Sequence, residues 1–323
     1  MKILARLSAA LGFALLAAAA GPALAQYPNK PVRIVVPYPP GGTTDILARL
    51  TAARLTESMG QPFVVENRPG ASGGIGSQAV AKSAPDGYTL VMATISSHGI
   101  VSAISKLPYD PVKDFSPVTV IGSTPNVILV HPDLPAKNLA ELLKLAREKP
   151  GKLNFGSTSP GGSPHMSAEL LKMMAKVDMV HIPYKGAGPM LTDLIGGQIQ
   201  IGFDNLPSSM GHIKSGKVRA VAVTTTKRWP GTPDVPTVAE SGVPGYEVSG
   251  WFGLLAPAGT PKPVIDALYR AASAMLKQPD VQKQMLELGA EPGGNTPDAF
   301  GKQIAAEVEK WKKVVAVTGV KVE

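Results

Sequence analysis

Short runs of β-branched and apolar residues alternate along this chain with stretches whose apolar positions recur at helical spacing. The first run, Val32 to Val36, meets Pro37, Pro39 and Pro40, which bar a continuing ladder. Gly41-Gly42 turns the backbone, and Thr43, Thr44 and Asp45 offer side-chain oxygens to the free N–H groups of a helix rich in Ala, Leu and Arg that runs to Met59. Strand, glycine turn and helix N-terminus in this order aim unpaired donors and the positive end of a helix dipole into the crevice above the sheet, which favours an anion. Most such junctions in α/β proteins bind nothing, so context decides. A second strand, Phe63 to Asn67, enters the loop Arg68 to Gly76 and a short helix to Lys82. The Pro85-Asp86-Gly87 turn feeds a third strand, Tyr88 to Thr94, followed by Ile95-Ser96-Ser97-His98-Gly99 and another helix. Three such units in succession predict a parallel sheet buried on both faces.

The second half repeats the alternation. Strands are expected at Phe115 to Gly122 and Asn126 to His131, then an amphipathic helix from Leu139 to Lys149. Lys152 to Lys176 echoes the opening junction about 120 residues on: a short strand, Pro160-Gly161-Gly162-Ser163, and Pro164 at a first helical position. The helix from His165, the strand Val180 to Tyr184, a helix to Ile195, the strand Ile199 to Asp204, a short helix Pro207 to Ser215 and the strand Val218 to Thr224 make a second α/β unit. Residues Arg228 to Gly245 read as an irregular connector and Tyr246 to Leu255 as a strand. The closing helices, Pro263 to Lys277, Pro279 to Leu288 and Thr296 to Val314, need a sheet to cover, and the first unit has few helices of its own. The chain is therefore expected to cross back, with crossings near Pro125 to Val130 and Val248 to Leu255 that act as a hinge. Residues 26–125 plus 249–323 then form one lobe and 126–248 the other, with an anion-friendly helix end in each facing a cleft.

The first 25 residues stand apart. Lys2 and Arg6 precede a Leu/Ala/Phe run to Ala20, a Gly21-Pro22 break and Ala23-Leu24-Ala25, the pattern of an export signal cut after Ala25. That apolar run is nearer ~14 residues than the ~20 a spanning helix needs, so the mature chain is expected to be exported and not membrane-embedded. With 44% hydrophobic and 17% charged residues, the remainder is long enough for two cores and too poor in charge for disorder. Zero cysteines exclude disulfides, thiol chemistry and thiolate metal sites. The formal charge of +8 is scattered over helices, and only 5% of residues are aromatic, which argues against nucleic acid.

Among local motifs, Gly74-Ile75-Gly76-Ser77-Gln78-Ala79 looks like a dinucleotide fingerprint but lacks the acidic residue that should end the next strand, where Thr94 stands. A bare-backbone loop approaching a carboxylate, or a tight turn, fits it better. No Gly-x-Ser-x-Gly elbow occurs. Ser159 or Ser163 with His165 is the one arrangement suggesting an exported hydrolase, and helix capping explains these serines equally well. The five histidines form no ligand pair, so neither metal nor cofactor is expected. Asp204 and Tyr184 fall at carboxyl ends of strands, where ligand contacts belong, although Asp204 serves as well for a helix cap. Paired carboxylates with acid–base spacing are missing from these loops, which favours binding without catalysis.

The segments VPYPPGGTTD, ENRPGASGG, PDGYTL, LPYDPVKDFSPVT, GSTSPGGSPH, HIPYKGAGP, GGQIQIGFDN and DVPTVAESGVPGYEVSGWFGLLAPAGTP span essentially the whole mature sequence. Together they resemble the extracytoplasmic receptors of the tripartite tricarboxylate transporter system, the Bug family. The resemblance implies an α/β, two-lobed periplasmic binding fold of the Venus-flytrap, type II-like kind, each lobe a mostly parallel sheet flanked by helices. It also implies that a ligand carboxylate is held by backbone amides and water. Carried over, Tyr38, Gly41, Gly42, Thr43 and Thr44 form a first carboxylate loop and Ala71, Ser72 and Gly73 a second. Ser96 lies in a loop that matches more loosely, and Ser157, Thr158, His165, Tyr184 and Asp204 form the opposite wall. Ser72 stands where relatives more often have glycine. The implied partners are a small organic acid (a di- or tricarboxylate, an acidic amino acid or an aromatic acid) and membrane permease subunits, with the receptor itself a periplasmic monomer. A sensor passing occupancy to a signalling partner would use the same cleft.

Overall fold

The computed structural model describes residues 27–318, and the segment read as an export signal lies outside the described residues. The first three units fold as β1 (Val32–Val36), α1 (Thr43–Met59), β2 (Phe63–Asn67), α2 (Gly74–Ala81) and β3 (Thr89–Thr94). A π-helical turn, Ser96–Ile100, and one turn of helix, α3 (Val101–Ile104), leave β3. The two strands expected next are a single one, β4 (Phe115–Val130), 16 residues long. Pro125 does not end it, because that residue pairs with Ser249 just where β4 changes neighbours, so its missing N–H falls between two ladders. There follow α4 (Leu139–Glu148), β5 (Asn154–Ser157), α5 (Ser163–Ala175), β6 (Val180–Pro183), α6 (Ala187–Ile195), β7 (Ile201–Asn205), α7 (Leu206–Lys214) and β8 (Arg219–Val223). After the irregular connector come β9 (Ser249–Pro257), α8 (Lys262–Leu276), α9 (Pro279–Leu288), β10 (Glu291–Pro292) and α10 (Pro297–Thr318).

The strands run in the order β2-β1-β3-β9-β4-β7-β5-β6, with β10 and β8 also paired to β4. The outer strands are parallel, β2, β1 and β3 at one end and β7, β5 and β6 at the other. The middle is antiparallel, because β4 carries the chain out of the first lobe and β9 returns it in the opposite direction. Both crossings therefore belong to one continuous mixed sheet.

Apolar clusters cover both faces of each lobe. Leu47 and Leu55 of α1, Leu268 and Met275 of α8 and Met285 of α9 close over Ile34, Leu90 and Leu254. Phe300, Ile304 and Trp311 of α10 cover Val91, Val120 and Leu255 from the other side. In the second lobe, Leu142 of α4 and Leu171 of α5 pack on Ile128, Phe155 and Ile201, while Met190, Leu194 and Met210 of α6 and α7 pack on Val127 and Leu129. The late helices thus lie on the sheet that begins the chain.

Phe300 docks α10: it is fully buried, edge-on to Trp251 at 5.2 Å, and sits over Gly253, where even a Cβ would come within 2.4 Å of its ring. We expect Phe300→Ala to cost roughly 3–5 kcal/mol, as large-to-small aromatic changes in cores do. Urea denaturation followed by circular dichroism reads this as a lowered midpoint, with Leu286→Ala, at a 41% exposed position, as the neutral control.

Candidate functional site

The junction between the lobes is polar. Asn126 is fully buried in β4; its N–H donates to Thr224 Oγ1 at 2.8 Å, and that hydroxyl donates to the Val248 carbonyl at 2.6 Å, tying the two crossings together. The Asn126 side chain donates to Ser163 Oγ (2.8 Å) and Ser167 Oγ (2.7 Å) of α5 and accepts from Asn205 Nδ2 (2.6 Å). It thereby sets where α5 and α7 begin.

In the first lobe, Gly41 has φ +82, which glycine adopts freely. Its N–H donates to Asp45 Oδ2 at 3.0 Å, and Asp45 also accepts from Arg49 and Asn67, both at 2.9 Å. Burial works against the charged carboxylate, yet these bonds hold its pKa below the usual range. The expected capping of α1 by Thr43, Thr44 and Asp45 does not form: the N-cap is Gly42, with no side-chain hydrogen bond. Asp45 is committed to the turn, and Thr43 reaches across the cleft. The second loop holds Gly70, Ala71, Ser72 and Gly73 at φ values of 133, 47, 52 and 94. Beneath it, the Tyr38 hydroxyl donates to the Ser72 carbonyl at 3.2 Å and lies 3.0 Å from Thr94 Oγ1. A Cβ at Gly73 would lie 2.9 Å from the Tyr38 oxygen, so no side chain fits there.

In the second lobe, α5, α6 and α7 have Gly162, Gly186 and Asn205 as N-caps, again without side-chain caps. The lobes touch at three polar points. Ser72 Oγ donates to the Pro160 carbonyl (2.6 Å), the Ser163 N–H donates to Ser96 Oγ (2.9 Å), and Thr43 Oγ1 accepts the Ser208 N–H (3.2 Å). Behind these contacts lies an inner cavity of about 40 Å³, room for roughly three water-sized groups, lined in part by Gly42, Thr43, Thr44, Ser163, Gly186, Ala187, Asp204 and Asn205. An outer groove of about 850 Å³ shares Tyr38, Pro39, Thr158 and Ser159 with it and adds Pro69, Val101, Ile104, Pro160 and Lys185.

Four helix N-termini thus meet the inner cavity, those of α1, α5, α6 and α7, and their dipoles make it positive. Among the described residues no Lys, Arg or His lines it. Its one carboxylate is Asp204, 1% exposed, which accepts from Ser208 Oγ (2.7 Å), Ser209 Oγ (2.6 Å) and the Asn205 N–H (2.8 Å). Burial raises its pKa to about 6 against the pull of those bonds.

Of the residues expected at the site, Tyr38, Gly42, Thr43, Thr44, Ser96, Thr158 and Asp204 line the inner cavity, and Ala71, Ser72, Gly73 and Tyr184 line the outer groove. Tyr184 offers its ring only, since its hydroxyl donates to Asp193 at 2.7 Å. Three residues line neither space. Gly41 faces solvent and shapes the turn. Ser157 lies under the floor, with its hydroxyl 2.7 Å from His181 Nε2. His165 is turned inward: Nδ1 accepts the Gly161 N–H at 2.9 Å, and the ring stacks on His181 at 3.9 Å. Neither Ser159 nor Ser163 hydrogen-bonds to it, and Ser163 is held by Asn126. Pro39, Ile95, Ala187 and Phe252 were not foreseen, whereas Gly186 and Asn205 lie at the strand ends where ligand contacts were expected. Gly186-Ala187 repeats the strand, glycine and helix pattern of Gly42-Thr43, and that signal alone was enough to find it.

A model of the family described as "Tripartite tricarboxylate transporter family receptor" matches residues 47–320. The chain is similar to protein BugT of Bordetella pertussis (strain Tohama I), 39% identical over 322 residues, 98% of this chain and 99% of that protein. Among solved structures it is similar to R. palustris Rpa4515 with adipate, 42% identical, with 91% of this chain and 99% of that chain covered and a TM-score of 0.89. It is also similar to MatC (Rpa3494) from Rhodopseudomonas palustris with bound malate, 36% identical, with 90% and 100% covered and a TM-score of 0.84.

The stacked histidines carry a pH consequence. Burial, reinforced by neighbouring positive charge, lowers His165 and His181 from 6.5 to about 4, and burial alone lowers His98 to about 3. Folded, they stay neutral where the unfolded chain already takes up protons, so their contribution is present above pH 6.5 and lost as pH falls toward 4. Asp204, raised to about 6, works in the opposite sense but is one group against three. The melting temperature is expected to fall across this window, and less steeply in a His165→Gln, His181→Gln variant; identical slopes would refute the assignment.

Proposed function

This chain belongs to the tripartite tricarboxylate transporter receptor family, and on that premise we propose that its cleft closes over a small carboxylate-bearing metabolite and passes it on to membrane permease subunits, with no covalent step. The observation that carries this reading is the meeting of four helix N-termini without side-chain N-caps in a cavity that no cationic side chain lines among the described residues. N–H groups so arranged suit a carboxylate, whose oxygens accept several bonds at once. The inner cavity takes the carboxylate head, ringed by Gly42, Thr43, Thr44, Ser96, Thr158 and Asp204, and the outer groove takes the body against Ala71, Ser72, Gly73 and Tyr184. Tyr38 borders both spaces. Gly41, Ser157 and His165 shape the walls from behind. The lobes divide as 26–125 plus 249–323 and 126–248, which places the hinge at Asn126 and Val248 and makes closure a bend of β4 and β9. Its family being one of periplasmic receptors supports action in the periplasm, and on this reading the protein works there as a monomer with its leader removed after Ala25.

Native mass spectrometry of the protein recovered from periplasm is expected to show a single chain beginning at Gln26 and carrying a small acid. A carboxylate that binds is expected to stabilise the fold by about 2.7 kcal/mol at a hundredfold excess over its Kd. Its methyl ester is expected to have no effect, since the ester lacks the charge the helix ends attract. If a broad panel of organic acids leaves the melting temperature unmoved, this reading is wrong.

A further inference from the structure

Asp204 is out of place in a cavity built for an anion. Every other feature there is positive or neutral, yet this buried carboxylate lines the same small space. A structural cap would direct its oxygens to N–H groups inside the first turn of α7. Asp204 instead takes two side-chain hydroxyls and the N–H of the next residue. Those three bonds put Ser208 and Ser209 on Oδ2 and Asn205 on Oδ1. A carboxylate oxygen accepts about two hydrogen bonds, so Oδ1 keeps capacity for one more. The inner cavity holds only about three water-sized groups, enough for the two oxygens of a carboxylate and one substituent beside them.

Resting on the reading that the cleft receives a carboxylate, we propose that Asp204 is a specificity-determining residue that selects acids carrying a hydrogen-bond donor, an ammonium or a hydroxyl, on the carbon next to the carboxylate. The donor completes Oδ1 while the helix ends hold the carboxylate. An unsubstituted acid of the same length brings the same negative charge but leaves that acceptor unpaired, which disfavours it. Ser208 adds a link to closure, since its hydroxyl donates to Asp204 while lying 3.1 Å from Thr43 Oγ1 of the other lobe.

The test is calorimetry near neutral pH with matched sets: succinate, malate and aspartate, then adipate and its 2-hydroxy and 2-amino derivatives. In whichever set binds, the wild-type protein is expected to prefer a donor-bearing acid by roughly tenfold or more, the range of a charge-assisted hydrogen bond. Asp204→Asn is expected to shrink that ratio to about threefold or less while binding the unsubstituted acid at least as tightly. A purely structural role would weaken all members equally and leave the ratio intact, which overturns the proposal. The wild-type ratio decides even if the variant fails to fold, because equal affinity for succinate and malate, or for adipate and its derivatives, also overturns it. Failure of every acid to bind refutes the carboxylate reading itself, a different result from equal binding.

Discussion

One buried amide holds the cleft in register. Asn126 sits where β4 leaves one set of partners for another, and both ends of its side chain are engaged, with α5 on one side and Asn205 at the start of α7 on the other. Through Thr224 it is also joined to the returning crossing. A polar group buried this deeply costs free energy unless its partners are present, so each partner is constrained to its place as firmly as the amide. The helix ends that face the cavity are therefore positioned from the hinge.

From this follows the electrostatic character of the site. The positive potential comes from backbone N–H groups at the ends of α1, α5, α6 and α7, with glycine or an already committed asparagine at the cap positions, so no cap side chain takes those donors, although Ser96 and Thr43 of the facing lobe accept from Ser163 and Ser208. Fixed dipoles need no reorganisation when an anion arrives, unlike a long lysine or arginine that must be ordered. A cavity of this kind can also tolerate a carboxylate of its own, which a site balanced by a single cation cannot.

The alternation of strands and helices, the return of the last helices to the first sheet, and the glycine turns beside the cleft were all legible from periodicity and from Pro and Gly placement. Local reasoning failed where a distant residue captured a side chain. Thr43 read as a cap because its neighbours make it one in isolation; Ser208, 165 positions away, takes its hydroxyl instead. His165 stands in the first turn of its helix, where packing and lining the cleft were equally open and the family resemblance put it on the cleft wall; His181 offers a stacking surface and Gly161 a donor, and together they turn the ring inward. Pro125 disguised β4 as two strands, since the change of partners that accommodates it exists only in three dimensions. Gly76 carried the look of a nucleotide loop and in fact permits close packing, with Pro37 and the Arg68 carbonyl within 2.9 Å of where its Cβ would be. Asn126 left no motif at all, only a polar residue ahead of Val127, Ile128, Leu129 and Val130.

A pocket whose counter-charge is written in the main chain responds to mutation in an unusual way. Point changes at Thr43, Ala187 or Ser163 alter shape and polarity but leave the amide hydrogen in place, and among the standard residues only proline deletes it. The capacity to hold an anion is thus insulated from genetic drift, while the side chains around it remain free to vary. A scaffold of this kind lends itself to descendants that share one way of gripping a charge and differ in everything attached to it.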